Sequence, residues 1–338
     1  MFFDKVSIMS VSHIDAPHRI STDHLEKELA PLGDRLDVDW DMLRTLTGIE
    51  ARHFWDEGVM PSQVATQAAE LAIEEAGISR DKIGILINTS VCRDYIEPST
   101  ASIVHGNLGL APDCMNFDLG NACLAFINGM QVAGNMIERD QVDYALIVDG
   151  EGSRGVIEST IQRMLNSDID ITEFRDNYAT FTLGSGAAAM VLARADLAPG
   201  GHRYRGGIHI AATEHSGLCR GQVDNMQTDT KALLMAGLQL AKKGFRIAKE
   251  KMGWAPEVLD ELVMHQVSKV HTEQLAAMLG LDLNKAHRLY PEHGNVGPAS
   301  VPIVLSKAAK MGRIKPGNRV ALMGIGSGLN VAMSEVIW

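Results

Sequence analysis

Five places in the chain carry residue types and spacings suited to acyl transfer. Cys123 follows an apolar segment that ends at Leu119, then a Gly-Asn turn, and it opens an amphipathic helical pattern, CLAFINGM. A thiol at a helix N-terminus meets unpaired amide N–H groups and the positive end of the helix dipole, which favour a nucleophilic thiolate near neutral pH. The ordinary alternative for a free cysteine is a small buried hydrophobe. His265 closes the apolar run ELVMH, so it is expected at the carboxyl end of a buried strand, where α/β proteins bind ligands. Asn295 lies in EHGNVGPAS, a Gly-flanked turn that enters a helical pattern; on its own it reads equally as a turn residue. Glu97 stands before a proline in SVCRDYIEPSTAS, hence in an extended loop, as a base or as a solvated bystander. The loop Gly324-Ile325-Gly326-Ser327-Gly328 follows the strand-like RVALM and precedes the strand-like NVAMSEVIW. A dinucleotide fingerprint needs a helix there, so backbone N–H groups facing an oxyanion are the better reading. Cys92, Cys114 and Cys219 lack the strand-turn-helix setting and read as structural.

These residues need a frame to bring them together. Short apolar runs starting near residues 5, 82, 144, 187, 207, 261, 319 and 330 alternate with helical patterns such as VATQAAELAIEEAG, which stops at Gly77. That alternation is an α/β grammar. Because the strands read as continuously apolar, each sheet is expected to be covered on both faces. The blocks DKIGILIN, GNACLAFINGM and YALIVDG recur about 176 residues later as DELVMHQV, GNVGPASVPIVL and VALMGIG, whereas GSGAAAMVLA recurs as GSGLNVAMSEV after only 142. A constant offset that drops once indicates duplicated halves with one insertion. We expect an N-terminal half over 1–195, a C-terminal half over 206–338, and the insertion near 151–183 as a polar helical segment that caps a pocket or contacts a second subunit.

Composition excludes other classes. With 338 residues, 46% hydrophobic and 22% charged, the chain can bury a large core. A net charge of −11 offers no footprint for duplex nucleic acid. The four cysteines form no CxxC pair and no metal-type spacing, so reduced thiols, a cytoplasmic location and no metal are expected. No stretch of about 18 apolar residues suggests a transmembrane span.

With these residues in place, the chain resembles the thiolase superfamily, its ketosynthase III branch, and within it the OleA group that joins two fatty acyl-CoAs head to head. The carriers are TGIEARHFW at 47–55, LINTSVCRDYIEPSTASIV at 86–104, NACLAFINGM at 121–130, DYALIVDGE at 143–151, HQVS at 265–268, EHGNVGPASVPIVLSK at 292–307 and GIGSGLN at 324–330. The resemblance implies a thiolase fold, two duplicated βα halves in a layered α-β-α-β-α arrangement. It implies that Cys123 is acylated by the first acyl-CoA, that His265 and Asn295 hold the thioester oxygen and stabilise an enolate, and that the backbone N–H groups of Cys123 and Ser327 form an oxyanion hole. Glu97 matches a glutamate of the OleA group. Decarboxylating a malonyl thioester creates a carbanion without a base, whereas condensing two simple acyl-CoAs requires removing a weakly acidic α-proton. Glu97 as that base implies non-decarboxylative Claisen condensation to a 2-alkyl-3-oxoacyl product, the first step of olefin or ketone hydrocarbon synthesis.

The resemblance further implies a homodimer, downstream olefin-pathway enzymes as partners, and no cofactor beyond coenzyme A thioesters as substrates. Arg44, Arg52 and Arg220 are the candidates for the coenzyme A phosphates, and the 17 methionines suit an irregular alkyl channel. A decarboxylating 3-oxoacyl-[acyl-carrier-protein] synthase III is the alternative. Hydroxymethylglutaryl-CoA synthase lacks the EHGNVGPAS pattern, a papain-like hydrolase does not account for the duplicated halves, and a purely structural subunit does not account for four reactive positions.

Overall fold

The computed structural model describes residues 1–37 and 42–338. Nine strands form one mixed sheet: β1 (Val6–Asp15), β2 (Ile83–Asn88), β3 (Met115–Asp118), β4 (Tyr144–Glu151), β5 (Gly186–Arg194), β6 (His202–Ala211), β7 (Glu261–Met264), β8 (Arg319–Gly326) and β9 (Asn330–Ile337). Their order is β7-β8-β9-β6-β1-β5-β4-β2-β3. The pairing pattern occurs twice. In the first half β2 and β4 are parallel, β4 and β5 antiparallel, β5 and β1 antiparallel. In the second, β7 and β8 are parallel, β8 and β9 antiparallel, β9 and β6 antiparallel. The halves meet where Ser7 and Ile8 of β1 face Arg203 and His202 of β6. Strand β3 has no counterpart in the second half and ends the sheet.

Helices cover both faces and separate the half-sheets. The ones that matter are α1 (Pro61–Ala76), α2 (Thr100–Leu108), α3 (Ala125–Glu138), α4 (Arg154–Asn166), α5 (Ile171–Asn177), α6 (Thr230–Met252), α7 (Lys269–Leu279) and α8 (Ser300–Lys310). Alternation along the strands explains the layering. Leu86, Leu146 and Val148 point to α1 and α2, while Ile85, Ile87, Ala145 and Ile147 point to a central layer of α3 and α8. Val320 and Leu322 face that same layer, and Ala321 and Met323 face α6 and α7. The result is five layers, α-β-α-β-α, as the fold expectation has it. Strands buried on both faces have no solvent side to mark with polar residues, which is why they read as continuous apolar runs.

The local signals hold as well. Helix α1 starts with Pro61 in its first turn and ends on Gly77 in the left-handed region at φ 64°, where a residue without Cβ is unstrained. Its alanines at 65, 68, 69 and 72 are buried and bring the helix close to the sheet. The segment at 151–183 leaves the strand layers, and α4 and α5 within it flank the cavity described below.

Candidate active site

A cavity of about 1720 Å³ opens at the ends of the central strands, and Cys123, Glu151, His265, Asn295 and Ser327 all line it. Three methionines, Met42, Met60 and Met226, also contribute to its walls. Arg154, Phe174, Arg175 and Tyr178 of the 151–183 segment close one side.

The cysteine is presented by a tight elbow. Ala122 has φ 45°, Leu124 N–H donates to Asn121 O at 3.1 Å, and Ala125 N–H donates to Ala122 O at 3.0 Å. A non-glycine residue in the left-handed region costs about 1 kcal/mol or more and is retained where the surroundings enforce it. The β8–β9 turn enforces it here: Asn330 Nδ2 donates to Asn121 Oδ1 at 3.3 Å. A Cβ on Gly326 would lie 3.0 Å from Asn121 O and 3.3 Å from Leu124 N, so a larger residue would push the turn and the elbow apart by a few tenths of an ångström. That approach carries Ser327 to the cavity.

Helix α3 begins at Ala125, two residues beyond the cysteine. Burial pushes the Cys123 thiol up to about 12, reinforced by the negative charges of Glu151 and Asp149. This corrects the expectation of a thiolate favoured by the helix end. The dipole is worth a fraction of a kcal/mol to about 2 kcal/mol, less than the cost of a second anion in a buried acidic corner. At rest the Cys123 side chain is therefore a thiol.

His265 continues the β7 ladder, its N–H donating to Met323 O at 2.8 Å, and its ring is buried. Burial drops its pKa to about 3, so the imidazole is neutral and carries one N–H donor. Asn295 is fixed on three sides. Its N–H donates to Thr182 O at 2.7 Å, its carbonyl accepts from Gly184 N–H at 2.9 Å, and its Oδ1 accepts from Gly297 N–H at 3.0 Å. With Oδ1 engaged, Nδ2 is left as a donor. Gln266 beside His265 tethers the same region: its Oε1 accepts from Leu289 N–H at 2.7 Å and its Nε2 donates to His287 O at 2.7 Å.

Sequence reasoning missed a carboxyl pair. Asp149 and Glu151 lie on one face of the end of β4, both buried. Glu151 Oε1 accepts from Val91 N–H at 2.6 Å and Oε2 from Cys92 N–H at 3.3 Å. Asp149 Oδ2 accepts from the Thr89 hydroxyl at 2.6 Å. Two carboxyl groups sharing a buried corner cannot both ionise cheaply. Burial pushes Glu151 up to about 7 and Asp149 well above the usual range. The sequence signal was there: two acids spaced i, i+2 at the end of an otherwise apolar strand.

Other expectations are corrected. Glu97 is exposed and does not line the cavity of its own chain; its neighbour Ile96 is 97% exposed. The loop reaches the cavity through residues 91–96, in company with His265, but the Glu97 side chain does not join them within one chain. Of the coenzyme A candidates, Arg52 is buried, with Nη2 donating to Phe181 O at 2.8 Å. Arg44 faces Asp23 at 3.8 Å and Glu50 at 4.0 Å, and Arg220 is on the exposed short strand Cys219–Gly221. None of the three lines the cavity, whereas the exposed Arg93, Arg175 and Lys231 do.

A thiol, neutral N–H donors and backbone amides around one large, mainly apolar cavity are equipped for acyl transfer through a thioester. Comparison with known proteins agrees. Residues 117–203 match the family of 3-oxoacyl-[acyl-carrier-protein] synthase III, and residues 249–338 match its C-terminal family. The chain is 54% identical over 338 residues to the acyl-CoA:acyl-CoA alkyltransferase of Xanthomonas campestris, covering all of both chains. It is 33% identical over 350 residues to that of Shewanella oneidensis, again covering all of both. A crystal structure of cerulenin-bound Xanthomonas OleA superposes with a TM-score of 0.98, at 54% identity, over 100% of this chain and 98% of the other. Solved variants of that protein replace a glutamate, a cysteine and a histidine spaced 26 and 142 residues apart, the spacing of Glu97, Cys123 and His265.

Proposed function

Because the chain belongs to the OleA family of acyl-CoA:acyl-CoA alkyltransferases, acyltransferases in the 3-oxoacyl-[acyl-carrier-protein] synthase III branch of the thiolase fold, we propose that it condenses two long-chain fatty acyl-CoAs without decarboxylation. The observation that carries this reading is the placing of Cys123, His265 and Asn295 around one apolar cavity. The Cys123 sulfur attacks the first thioester; the C–S bond to coenzyme A breaks, and the thiol proton leaves with the departing thiol. Backbone N–H groups of Cys123 and Ser327 meet the oxyanion. Removing an α-proton then gives an enolate, to which the His265 ring and Asn295 Nδ2 donate. The enolate carbon of the second acyl-CoA attacks the acyl-Cys123 carbonyl; the C–C bond forms as the C–S bond to Cys123 breaks, and the sulfur takes back a proton from the base. The product is a 2-alkyl-3-oxoacyl thioester, as a first step of long-chain olefin or ketone synthesis requires.

Glu97 is our base, and its exposure defines how it acts. A carboxylate outside its own cavity reaches an acyl chain only in a second copy, and the exposed Ile96 and Tyr95 next to it offer an apolar contact for that copy. We therefore read the enzyme as a homodimer in which Glu97 serves the partner's Cys123. Arg93, Arg175 and Lys231, exposed at the cavity rim, replace the earlier candidates for the coenzyme A phosphates. Reduced cysteines and acyl-CoA substrates suit the cytoplasm; no helix among the described residues is long and apolar enough to cross a membrane.

Mixing Cys123→Ala and Glu97→Ala chains tests the scheme. Each variant alone is expected to be inactive in condensation, with Glu97→Ala still forming the acyl adduct by intact mass. Random reassortment should restore about a quarter of wild-type activity, since half the dimers are mixed and each holds one complete site. No restoration would place Glu97 in cis or remove it from the chemistry. An acyl adduct that condenses only when malonyl-carrier protein is supplied would move the enzyme to the decarboxylating class.

A further inference from the structure

His265 and His271, which both line the large cavity, also border a second cavity of about 20 Å³, walled otherwise by residues of α6, α7, β8 and β9 such as Leu238, Leu275, Met323 and Val331. Every side chain in that lining is apolar except the two histidines. Nδ1 of His265 and Nδ1 of His271 are both buried, and neither has a hydrogen-bond partner among the described residues. Two buried ring nitrogens left without partners would each carry the full desolvation penalty of an unmade hydrogen bond. A cavity of this size holds one water molecule, which needs about two to four polar partners.

We propose that one water occupies this cavity and donates one hydrogen bond to Nδ1 of His265 and the other to Nδ1 of His271, making His271 a positioning residue for the reaction. The assignment follows from donor and acceptor counts. A neutral imidazole has one N–H and one lone-pair nitrogen, and a water has two protons to give. If both protons go to Nδ1 atoms, both rings are the Nε2–H tautomer. His265 Nδ1 is the buried nitrogen without a partner, so the protonated Nε2 is the one left for the Gly297 backbone, which lines the large cavity, and for a thioester or enolate oxygen that enters there. The opposite tautomer would turn a lone pair toward that oxygen. Burial keeps both rings neutral, lowering His265 to about 3 and His271 to about 4, which leaves the arrangement intact across the working pH range. His271 is held by its own N–H, which donates to the Ser268 cap at 3.3 Å in the first turn of α7. This inference rests on the reading of His265 as an enolate donor.

The first test is a crystal structure of the wild-type enzyme at a resolution that shows ordered water. One water within about 3.2 Å of both Nδ1 atoms is expected; a dry cavity, or a water bonded to only one ring, overturns the proposal whatever the variants do. The second is kinetic. His271→Leu removes one acceptor, and the condensation kcat should fall about tenfold or more with the acyl-CoA KM within about twofold, as for other groups that orient an active-site imidazole. His271→Gln, which keeps an acceptor, should recover most of that loss. A His271→Leu enzyme with wild-type kcat, or equal losses in the Leu and Gln variants, refutes the positioning role. If His265→Ala condenses normally, the underlying reading of His265 fails, and the crystallographic result still decides whether the water is there.

Discussion

Replacing Gly184 with alanine should break the hold on Asn295. A Cβ at this position would lie 1.8 Å from the His293 carbonyl oxygen and 3.0 Å from its carbon. Real contacts of this kind stay above 3.0 Å, so one backbone segment must retreat by more than 1 Å. The retreat strains Gly184 N–H to Asn295 O (2.9 Å), Asn295 N–H to Thr182 O (2.7 Å) and Ser185 N–H to His53 O (3.0 Å). At about 1 kcal/mol for each bond, the loss of stability is about 2–4 kcal/mol. A displacement of about 1 Å in a group that orients the reacting atoms costs about 10²-fold in rate. Urea denaturation would measure the first effect and condensation of a long-chain acyl-CoA the second. Acylation of Cys123, followed by intact mass, should be much less affected than condensation, because Asn295 acts on the enolate in our reading. A Gly184→Ala enzyme within about 0.5 kcal/mol of wild type and unimpaired in condensation would show that the 182–185 segment does not position Asn295.

Three further outcomes are expected. Iodoacetamide should alkylate Cys123 about ten times faster for each pH unit between 7 and 9, because its thiol is pushed up to about 12; a plateau below pH 8 would contradict the buried-thiol account. Seven histidines, at 13, 53, 202, 209, 265, 271 and 287, have folded pKa values lowered by burial, so as pH falls below about 6.5 the unfolded chain takes up protons that the folded chain refuses, and stability drops. Asp149 and Glu151, raised by burial, work in the opposite sense, but they are two against seven; a melting temperature that holds or rises from pH 7 to pH 5 would refute the net sign. Lys231→Ala should raise the acyl-CoA KM about tenfold by removing a charge-assisted contact to phosphate, while Arg52→Met should leave KM unchanged; the reverse pattern would restore Arg52 as a coenzyme A ligand.

Much of this molecule was legible in its sequence because the relevant signals are local. Continuous apolar runs mark strands covered on both faces, glycines mark helix ends and tight turns, and the near-constant offset between blocks marks a duplicated frame. Cys123, His265 and Asn295 stand at strand or turn ends within those blocks, so their meeting at one cavity follows from the repeat once the halves pack. What the sequence could not determine is whatever depends on which distant groups share a low-dielectric volume. The helix end alone reads as favouring a Cys123 thiolate; burial of the thiol reverses this, with Glu151 and Asp149, brought in on β4, adding to it. Arg52 reads as a surface cation until the chain buries it under Phe181. Glu97 stands outside the cavity that the preceding residues of its loop, through Ile96, help to line, a placement no local pattern encodes. The small cavity between His265 and His271 exists only because β7, β8, β9, α6 and α7 pack around two nitrogens that the sequence places six residues apart. Periodicity fixes which face a residue occupies; desolvation and donor-acceptor matching are set by tertiary packing, and those decide the chemistry.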